Sequence, residues 1–512
     1  MYVVTGDEMH QIDRYTMEQI GFTEEMLMEN AGQAFFRYLL PSLHKHSSVI
    51  VLIGSGNNGG DGFVIARLLK EANITTNVWV IPDEERIRGT ALRHKEIYEK
   101  SSYSWNVFQN ARERFYEQLH HSDILIDAML GTGINGLARD PYATIIQKVN
   151  ESRRRKIISV DIPSGLPSYE GEDSFIAIEA DETVSFHASK VSSFIPGMSQ
   201  YYGKLTVLDI GIPKKVYDGI PVSRQVITAE KVKETLPIRN NDAHKGSSGK
   251  ALIIGGSFKM TGAPALTTLA CLRTGAGLVT VAAPSEVKSD LSQKLTESMF
   301  LPLESKNGEI SELPINHITK EKYDGIAFGP GVGRSQSYQL FESFDQFNGP
   351  LVLDADGLFH LSLELTKWKH GRQGGPTIIT PHSGEMARLM NVPIKQVNKH
   401  RFEYSKTFAT TYGLYVVLKG PHTIVTTPDG HQWVNVTGNP SLAKGGTGDM
   451  LTGMIIGFLL QHQFVSEAVC NAVHIHGITA DKQIEEYDVV SVTATDLIAN
   501  LPKVLYSYRN HT

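Results

Sequence analysis

Unbroken apolar runs alternate with amphipathic stretches through the first part of the chain. The runs "VIVLI" (49–53), "TTNVWVI" (75–81), "DILIDA" (123–128), "IISVD" (157–161), "ETVSF" (182–186) and "KLTVLD" (204–209) predict strands, and segments such as "GFVIARLLKEA" (62–72) predict helices between them. Strands that are apolar at every position have both faces buried, so the pattern predicts a parallel sheet with helices on each side. Functional residues are then expected beyond the carboxyl ends of the strands. After "LDIGIP" (208–213) the periodicity dissolves into prolines, glycines and charges, which places a boundary near 212–240. A second series follows, with "KALIIGG", "LVTVAA", "YDGIAFG", "PLVLDAD", "PTIIT", "LYVVLK" and "HTIVTT", and helices dominate after residue 447. No fixed-period repeat links the halves, so two different α/β domains are expected, over 1–215 and 225–510.

The length supports that division, since 512 residues exceed one ordinary core. Charge adds an exclusion. With 49 basic and 55 acidic residues the formal net charge is -6, which argues against a sequence-independent nucleic-acid binder. The basic run "SRRRK" (152–156) reads as a solvated helix end. Cys271 and Cys470 are too few and too far apart for a disulfide framework or a zinc site, so buried thiols in a reducing compartment are expected. The N-terminus has no secretory pattern and no apolar run reaches membrane-spanning length, which points to a cytoplasmic protein.

Chemistry concentrates in Gly-rich loops. "GSGNNGGDGF" (54–63) follows the first long strand and carries Asp61 where bare backbone N–H groups and a helix dipole favour an anion. It matches a dinucleotide fingerprint, and Asp83 in "IPDEE" sits roughly where that fingerprint wants a ribose acid, but "GGDG" is not its expected continuation. Two readings stand for Asp61: a site residue, or a charge complementing a helix start beside a tight glycine turn. "DAMLGTGINGLARDP" (127–141) and "VDIPSG" (160–165) add Asp127, Asp161 and Ser164 at other strand ends. Converging carboxylates, amides and hydroxyls can hold a hard monovalent cation through oxygen.

Together with "LMENAG" (27–32), these motifs resemble the NAD(P)H-hydrate epimerase family across residues 1 to about 215. The resemblance implies a Rossmann-like doubly wound sheet. It implies substrate contacts from Asn57, Asn58, Gly59, Gly60 and Asp61, from Gly131, Thr132, Gly133, Ile134, Asn135, Gly136 and Leu137, and from Asp161. It also implies K+ held by Asn58, Asp127 and Ser164. The hydrated nicotinamide ring is a hemiaminal, so a positioned carboxyl that protonates the hydroxyl and returns water to the other face inverts the centre. Asp161 is the expected catalytic group. Lys190 in "FHASK" is read as a surface lysine, with participation as the alternative.

In the second half, "GNPSLAKGGTGDMLTGMIIGFL" (438–459) places Gly445, Gly446 and Gly448 at a helix start around Asp449. Backbone N–H groups there can hold a transferring phosphoryl group while Asp449 takes a proton from a substrate hydroxyl. The plainer alternative makes Asp449 a helix-start acid and Thr447 an N-cap. "LKGPHTIVTTPDG" (418–430), "GPGVG" (329–333), "LDADGL" (353–358) and "TPHSGEMARL" (380–389) supply further strand-end and helix-start groups, His382 and Glu385 among them. Alone, His382 reads as a turn histidine and Glu385 as capping chemistry.

These motifs occur in the order of the ADP-dependent NAD(P)H-hydrate dehydratases, which they resemble within the ribokinase-like superfamily over residues 240–500. The resemblance implies nucleotide binding by Lys419, Gly420, Pro421, His422 and Thr423 with Gly445, Gly446, Thr447 and Gly448, and hydrate binding by Ala263, Gly331, Gly333, His382 and Asp449. It implies ADP as co-substrate with Mg2+. Alanine is commoner in the family where Gly357 stands, and proline where Ser383 stands. The expected activity is repair of hydrated NADH and NADPH (NADHX and NADPHX), with epimerisation in the first domain and dehydration of the S form in the second. The partners are those small molecules, with no nucleic acid and no membrane. Two other classes remain open: an alcohol kinase in the second half, and a non-catalytic nucleotide sensor in the first. Nothing in the sequence fixes ADP against ATP, NADH against NADPH, or monomer against homo-oligomer.

Overall fold

The computed structural model describes residues 1–510 apart from Lys45, Asn135, Arg153, Arg154 and Glu321. The chain divides into two compact units, Met1–Val222 and Ser223–Thr512.

Nine strands belong to the first unit: β1 (Val3–Val4), β2 (Ser48–Ile53), β3 (Thr75–Val80), β4 (Asn106–Val107), β5 (Ile124–Ala128), β6 (Lys156–Val160), β7 (Glu182–Phe186), β8 (Ser189–Lys190) and β9 (Lys204–Leu208). Seven form one parallel sheet in the order β4-β3-β2-β5-β6-β7-β9. Side chains of β2 alternate between two cores: Val49, Val51 and Ile53 enter one, Ile50 and Leu52 the other. The run is apolar throughout because neither face meets water. Strand order reverses between β2 and β5, which opens the crevice expected of such a sheet. β1 and β8 pair separately, Val3 with Ser189 and Val4 with Lys190. Helix α1 (Gly6–Tyr15) is closed by a Thr5–Glu8 capping box. Helices α2 (Glu24–Leu39) and α3 (Asn57–Glu71) follow.

In the second unit ten strands form one sheet: β10 (Arg224–Val226), β11 (Lys250–Ile254), β12 (Leu278–Pro284), β13 (Met299–Leu303), then, after a small hairpin of β14 (Ser305–Lys306) and β15 (Glu309–Ile310), β16 (Gly325–Phe328), β17 (Leu351–Leu353), β18 (Thr377–Ile379), β19 (Tyr415–Leu418), β20 (Ile424–Thr426) and β21 (Gln432–Val434). Their order is β10-β21-β20-β19-β18-β17-β16-β11-β12-β13, parallel except where β20 meets β19 and β21. Here the order reverses between β11 and β16. Ala251 and Ile253 enter one core and Leu252 and Ile254 the other. Helices α4 (Asp356–Ser362), α5 (Ser383–Met390) and α6 (Thr447–Leu459) start at the ends of the motif-bearing loops.

Two expectations change. The run 54–63 is not a loop throughout, because α3 begins at Asn57. Arg155, expected on the surface, is buried with its guanidinium on Ser152 Oγ; its neighbours Arg153 and Arg154 lie outside the described residues. Cys271 and Cys470 are free and buried. No described helix is long and apolar enough to cross a membrane.

Candidate active sites

At the β2–β5 switch point the two strand-end loops interlock. Gly54 N–H donates to Ala128 O at 3.1 Å, and Asn58 Nδ2 donates to Leu130 O at 3.1 Å. Asn58 Oδ1 is buried and has no hydrogen-bond partner among the described residues. Asp127, at the end of β5, accepts from Ser159 Oγ (2.9 Å), Ser164 N (2.8 Å) and Met129 N (3.3 Å), and also from Ser164 Oγ. Four donors occupy both of its oxygens, so Asp127 fixes Ser164 instead of presenting a bare carboxylate. Ser164 Oγ in turn accepts from Leu130 N at 2.8 Å. Asn58, Asp127 and Ser164 therefore form one oxygen-rich cluster.

The glycines of α3 do a different job from the one expected. A Cβ on Gly59 would lie 2.2 Å from Gly54 O, and one on Gly60 2.3 Å from Met28 Sδ. They are packing positions inside a helix, not a tight turn. Asp61 is one turn into α3, beyond the reach of the helix-start effect, which fades within the first turn. Its carboxyl is pushed well above the usual range by burial, then by Asp161, Asp13 and Glu24. A charge complementing a helix start would move the other way, so that alternative falls. Asn57 Nδ2 donates to Glu24 Oε1 at 2.8 Å.

Asp161 follows β6 with φ 64°, a left-handed conformation that turns its side chain back over the strand ends. Oδ1 accepts from Lys190 Nζ at 2.6 Å and from Phe186 N at 3.1 Å. Lys190 is fully buried on β8 and also donates to Ala188 O at 3.2 Å. The expected surface lysine is thus the counter-ion of Asp161, buried because Val4 pairs with it across the β1–β8 ladder. Asp13, on the half-buried flank of α1, was not singled out in the sequence. Its carboxyl is pushed up to about 7 by burial, with Asp161 and Glu24 adding to the shift and Lys190 opposing it. No motif marks Asp13; the available signal is an acid beside the buried Met9 and Ile12 of an amphipathic helix. The loop from Gly131 begins against Asn58, with 3.3 Å between Asn58 Cβ and a Cβ built on Gly131. Thr132 Oγ1 lies 3.4 Å from His10 Nε2 of α1. Gly133, Ile134 and Gly136 continue the loop without regular structure, Leu137 is exposed, and Asn135 lies outside the described residues.

In the second unit the loops after β11 and β16 meet at the switch point, where Gly256 N–H donates to Pro330 O at 2.8 Å. Ala263 Cβ is 3.4 Å from a Cβ built on Gly331. Gly333 N–H donates to Asp356 Oδ2 at 3.1 Å, and Arg334 Nε to Asp356 Oδ1 at 2.6 Å. Asp354, at the end of β17, binds Lys419 Nζ at 2.9 Å and Thr452 Oγ1 at 2.7 Å, tying α6 to the sheet. Burial opposes the charge on Asp354, yet Lys419 and the Thr380 and Thr452 hydroxyls hold its carboxyl below the usual range. Burial also works against Lys419, while Asp354, Glu385 and Asp449 keep it above its ordinary value.

Asp449 is the third residue of α6. Gly446, with φ 94°, is the N-cap; Thr447 is the first helical residue and not the N-cap of the plainer alternative. Helix geometry leaves the first backbone N–H groups without intrahelical acceptors. The Asp449 carboxyl takes no hydrogen bond among the described residues, and it is pushed up to about 7 by burial, then by Asp354 and Asp356 against the pull of Lys419. A fixed ion pair thus stands beside one carboxyl poised near neutrality, the division that general-base chemistry requires.

A cleft of about 580 Å3 opens beside it, lined by Lys419 to Thr423 and by Thr447 and Gly448, with Leu442, Leu451 and Val473 as apolar wall. Gly445 and Gly446 are not part of that lining. Arg401, almost fully buried, holds the cleft's edge by donating from Nη2 to the carbonyls of Leu418, Lys419 and His422 at 3.0, 3.2 and 3.2 Å. It also explains Gly420, where a Cβ would lie 2.7 Å from Arg401 Nη2. Nothing in the sequence near Arg401 announces this role. His382 is the N-cap of α5 in a capping box with Glu385. Its Nδ1 accepts from Gly384 N (2.9 Å) and Glu385 N (3.3 Å), so a neutral ring carries its proton on Nε2. Both His382 and Glu385 therefore do the capping work that each suggested in isolation, and His382 Nε2 lies 3.6 Å from Glu385 Oε1.

Residues 251–503 match the family described as NAD(P)H-hydrate dehydratase, and residues 24–192 match the YjeF-related protein N-terminus. The bifunctional NAD(P)H-hydrate repair enzyme Nnr of Moorella thermoacetica is 34% identical over 519 residues, covering 99% of this chain and 97% of its own. Its namesake in Escherichia coli is 31% identical over 511 residues, covering 98% and 93%. Among solved structures, an ADP/ATP-dependent NAD(P)H-hydrate dehydratase from Bacillus subtilis, co-crystallised with ATP and Mg2+, shares 34% identity. It covers 56% of this chain and 98% of its own, with a TM-score of 0.48. On the full-length matches, the chain belongs to the family of bifunctional NAD(P)H-hydrate repair enzymes.

Proposed function

We propose that the first unit interconverts the R and S hydrates of NADH and NADPH and that the second dehydrates the S hydrate at the expense of ADP. One observation carries the reading: beside the strand ends of each unit, a carboxyl is lifted toward neutrality next to a charged pair, Asp13 and Asp61 near Asp161–Lys190, and Asp449 near Asp354–Lys419.

In the first unit the hydroxyl of the hydrated ring leaves as the ring nitrogen pushes, and that departure needs a proton. Asp61 and Asp13, whose carboxyls burial and neighbouring acids push up, Asp13 to about 7, are the groups placed to supply it. Asp161, with Lys190 as counter-ion, accepts the proton of the water that returns to the other face. Microscopic reversibility lets the same groups exchange roles for the opposite epimer. K+ suits the Asn58 Oδ1, which has no partner among the described residues. Asn58 and Ser164 would hold it, with the charge of Asp127 relayed through Ser164, and its contribution is to balance substrate phosphate near buried acids.

In the second unit Asp449 takes the proton from the ring hydroxyl while N–H groups at the start of α6 hold the incoming phosphoryl group. Phosphorylation makes the oxygen a good leaving group, and elimination of phosphate restores the reduced ring. The apolar wall of the cleft suits the adenine, and Lys419 lies close to α6, 3.5 Å from a Cβ built on Gly448. Mg2+ typically needs only one or two carboxylates beyond the nucleotide phosphates, and Glu385 is placed to supply one.

The test is recovery of reduced-nicotinamide absorbance from mixed-epimer NADH hydrate with K+, Mg2+ and ADP, alongside phosphate release. Full recovery faster than spontaneous epimerisation, with one phosphate per nicotinamide, is the expected result. Recovery that stops at the S fraction removes the first unit's activity. A stable phosphorylated alcohol in place of free phosphate makes the second unit a kinase.

A further inference from the structure

One cavity of the first unit takes no part in this chemistry. It measures about 310 Å3 and lies over the ends of β3 and β4. Asp83 and Arg86 enter it from the turn after β3, and Arg112 and Tyr116 from the helix Arg112–His121 beyond β4. Its remaining side is Asp140, Pro141 and Thr144, where the loop that begins at Gly131 runs into the helix Tyr142–Glu151.

Strand order places this cavity in line with the site. Asp161 stands at the end of β6, the loop from Gly131 at β5, Asn57–Asp61 at β2, and the cavity at β3 and β4, and β6-β5-β2-β3-β4 are consecutive neighbours in the sheet. Strands about 4.8 Å apart put β3 roughly 14 Å from β6, which is the reach of an extended dinucleotide. A ligand with its nicotinamide at Asp161 and its phosphates at the β2–β5 crevice has its adenosine end over this cavity.

The charges suit that end. Arg86 meets Asp83 only at 3.5 Å, both side chains being more than half exposed. The guanidinium of Arg112 lies 5.4 Å from the Phe108 ring and binds Gln109. Neither arginine is committed to a buried carboxylate. Asp140, by contrast, is engaged in accepting from Thr144 N (3.1 Å) and Thr144 Oγ1 (2.6 Å), so Asp83 is the carboxylate left to a ligand. In dinucleotide folds an acid after this strand accepts from a ribose 2′-hydroxyl, and an arginine accommodates a 2′-phosphate.

We propose that this cavity binds the adenosine ribose of the dinucleotide hydrate, with Arg86 and Arg112 taking a 2′-phosphate and Asp83 a 2′-hydroxyl. The inference rests on the epimerase reading.

The full-length chain is assayed without ADP, which silences dehydration, by following the appearance of S hydrate from purified R hydrate of each dinucleotide. Arg86→Ala with Arg112→Ala raises KM for the NADPH hydrate tenfold or more and moves that for the NADH hydrate less than twofold. Asp83→Ala does the reverse: KM for the NADH hydrate rises at least threefold, while that for the NADPH hydrate stays level or falls. Arg86→Lys with Arg112→Lys recovers part of the loss. Equal changes for the two hydrates, or none, overturn the proposal. If the wild type epimerises neither hydrate, the epimerase reading fails instead. Calorimetry with NADP+ and NAD+ then decides the cavity, because the substitutions leave the second unit's binding alike in both proteins. Loss of the NADP+ preference in the double variant supports the cavity's role, and an unaltered preference refutes it.

Discussion

The two Gly-rich stretches, 54–63 and 444–453, read alike along the chain, yet Gly59 and Gly60 of the first meet different surroundings from Gly445 of the second. In the first, the glycines let a helix lie against its neighbours: Gly59 on the backbone of Gly54, Gly60 on Met28. In the second, no heavy atom lies within 4 Å of a Cβ on Gly445, while Gly446 combines a left-handed backbone with a Cβ position 2.6 Å from Leu266 Cδ1, and only Gly453, inside the helix, packs on a carbonyl, 2.1 Å from Thr267 O. The first stretch is a packing seam that brings an acid, Asp61, toward other acids. The second is an open helix start with its acid, Asp449, at the third residue. Glycine spacing alone does not distinguish contact from vacancy; what the glycines face does.

That contrast can be broken at several points, from the strongest effect down. Asp449→Asn removes the base of the second unit, and the dehydration kcat is expected to fall by about 10³-fold, while epimerisation measured without ADP persists. Parallel loss of both activities would show that the chain has misfolded and not that a base is missing. Gly59→Ala forces a carbon onto a backbone carbonyl and should destabilise the first unit by about 3 kcal/mol, read as a lowered Tm with the second unit's activity intact. An unaltered Tm would mean that the seam is slack.

A pH profile sharpens the comparison further. Asp449 must be deprotonated to act, so with its carboxyl pushed up to about 7, dehydration should rise with pH up to about 7 and level off above it; a flat profile from pH 5 to 8 counts against the assignment. The same shift affects stability. The folded state holds this proton more tightly than the unfolded chain, so the second unit loses stability as pH rises from the ordinary carboxylate range through about 7. Asp449→Asn should therefore stabilise the second unit at pH 8 by on the order of 2 kcal/mol, read as a higher Tm there than in the wild type. Replacing K+ by Li+ is expected to raise KM for epimerisation several-fold and to leave dehydration alone. An equal effect on both reactions would detach the cation from Asn58. Smallest of all, Gly445→Ala should change stability by less than about 0.5 kcal/mol, since the added methyl meets nothing.

Much of this was legible because burial on both sheet faces writes itself as unbroken apolar runs: β2, β5, β6 and β11 all stand where such runs do. The short strands are another matter. Two residues, as at Val3–Val4, Asn106–Val107 or Ser189–Lys190, carry no period to read. Lys190 reads as a surface residue for that reason, since its burial comes from a ladder formed with the far end of the unit. Asp13 and Arg401 were invisible for a related one. Each acts on a motif from outside it, and a side chain donating to three carbonyls leaves no spacing in the sequence. Asp161, Asp127, Ser164 and Asp449 could be found because the strand ends and helix starts that carry them follow from local pattern alone.

The β1–β8 ladder has a consequence for the order in which the protein comes into being. Residues 3 and 4 leave the ribosome long before their partners, 189 and 190, which emerge only when most of the unit has been made. At about 5–20 residues per second, the first strand waits some ten seconds or more for its mate, while β2 and β3 can pair almost as they appear. The scaffold of the first unit thus precedes its chemistry, and the lysine that faces Asp161 is seated near the end of that unit's synthesis.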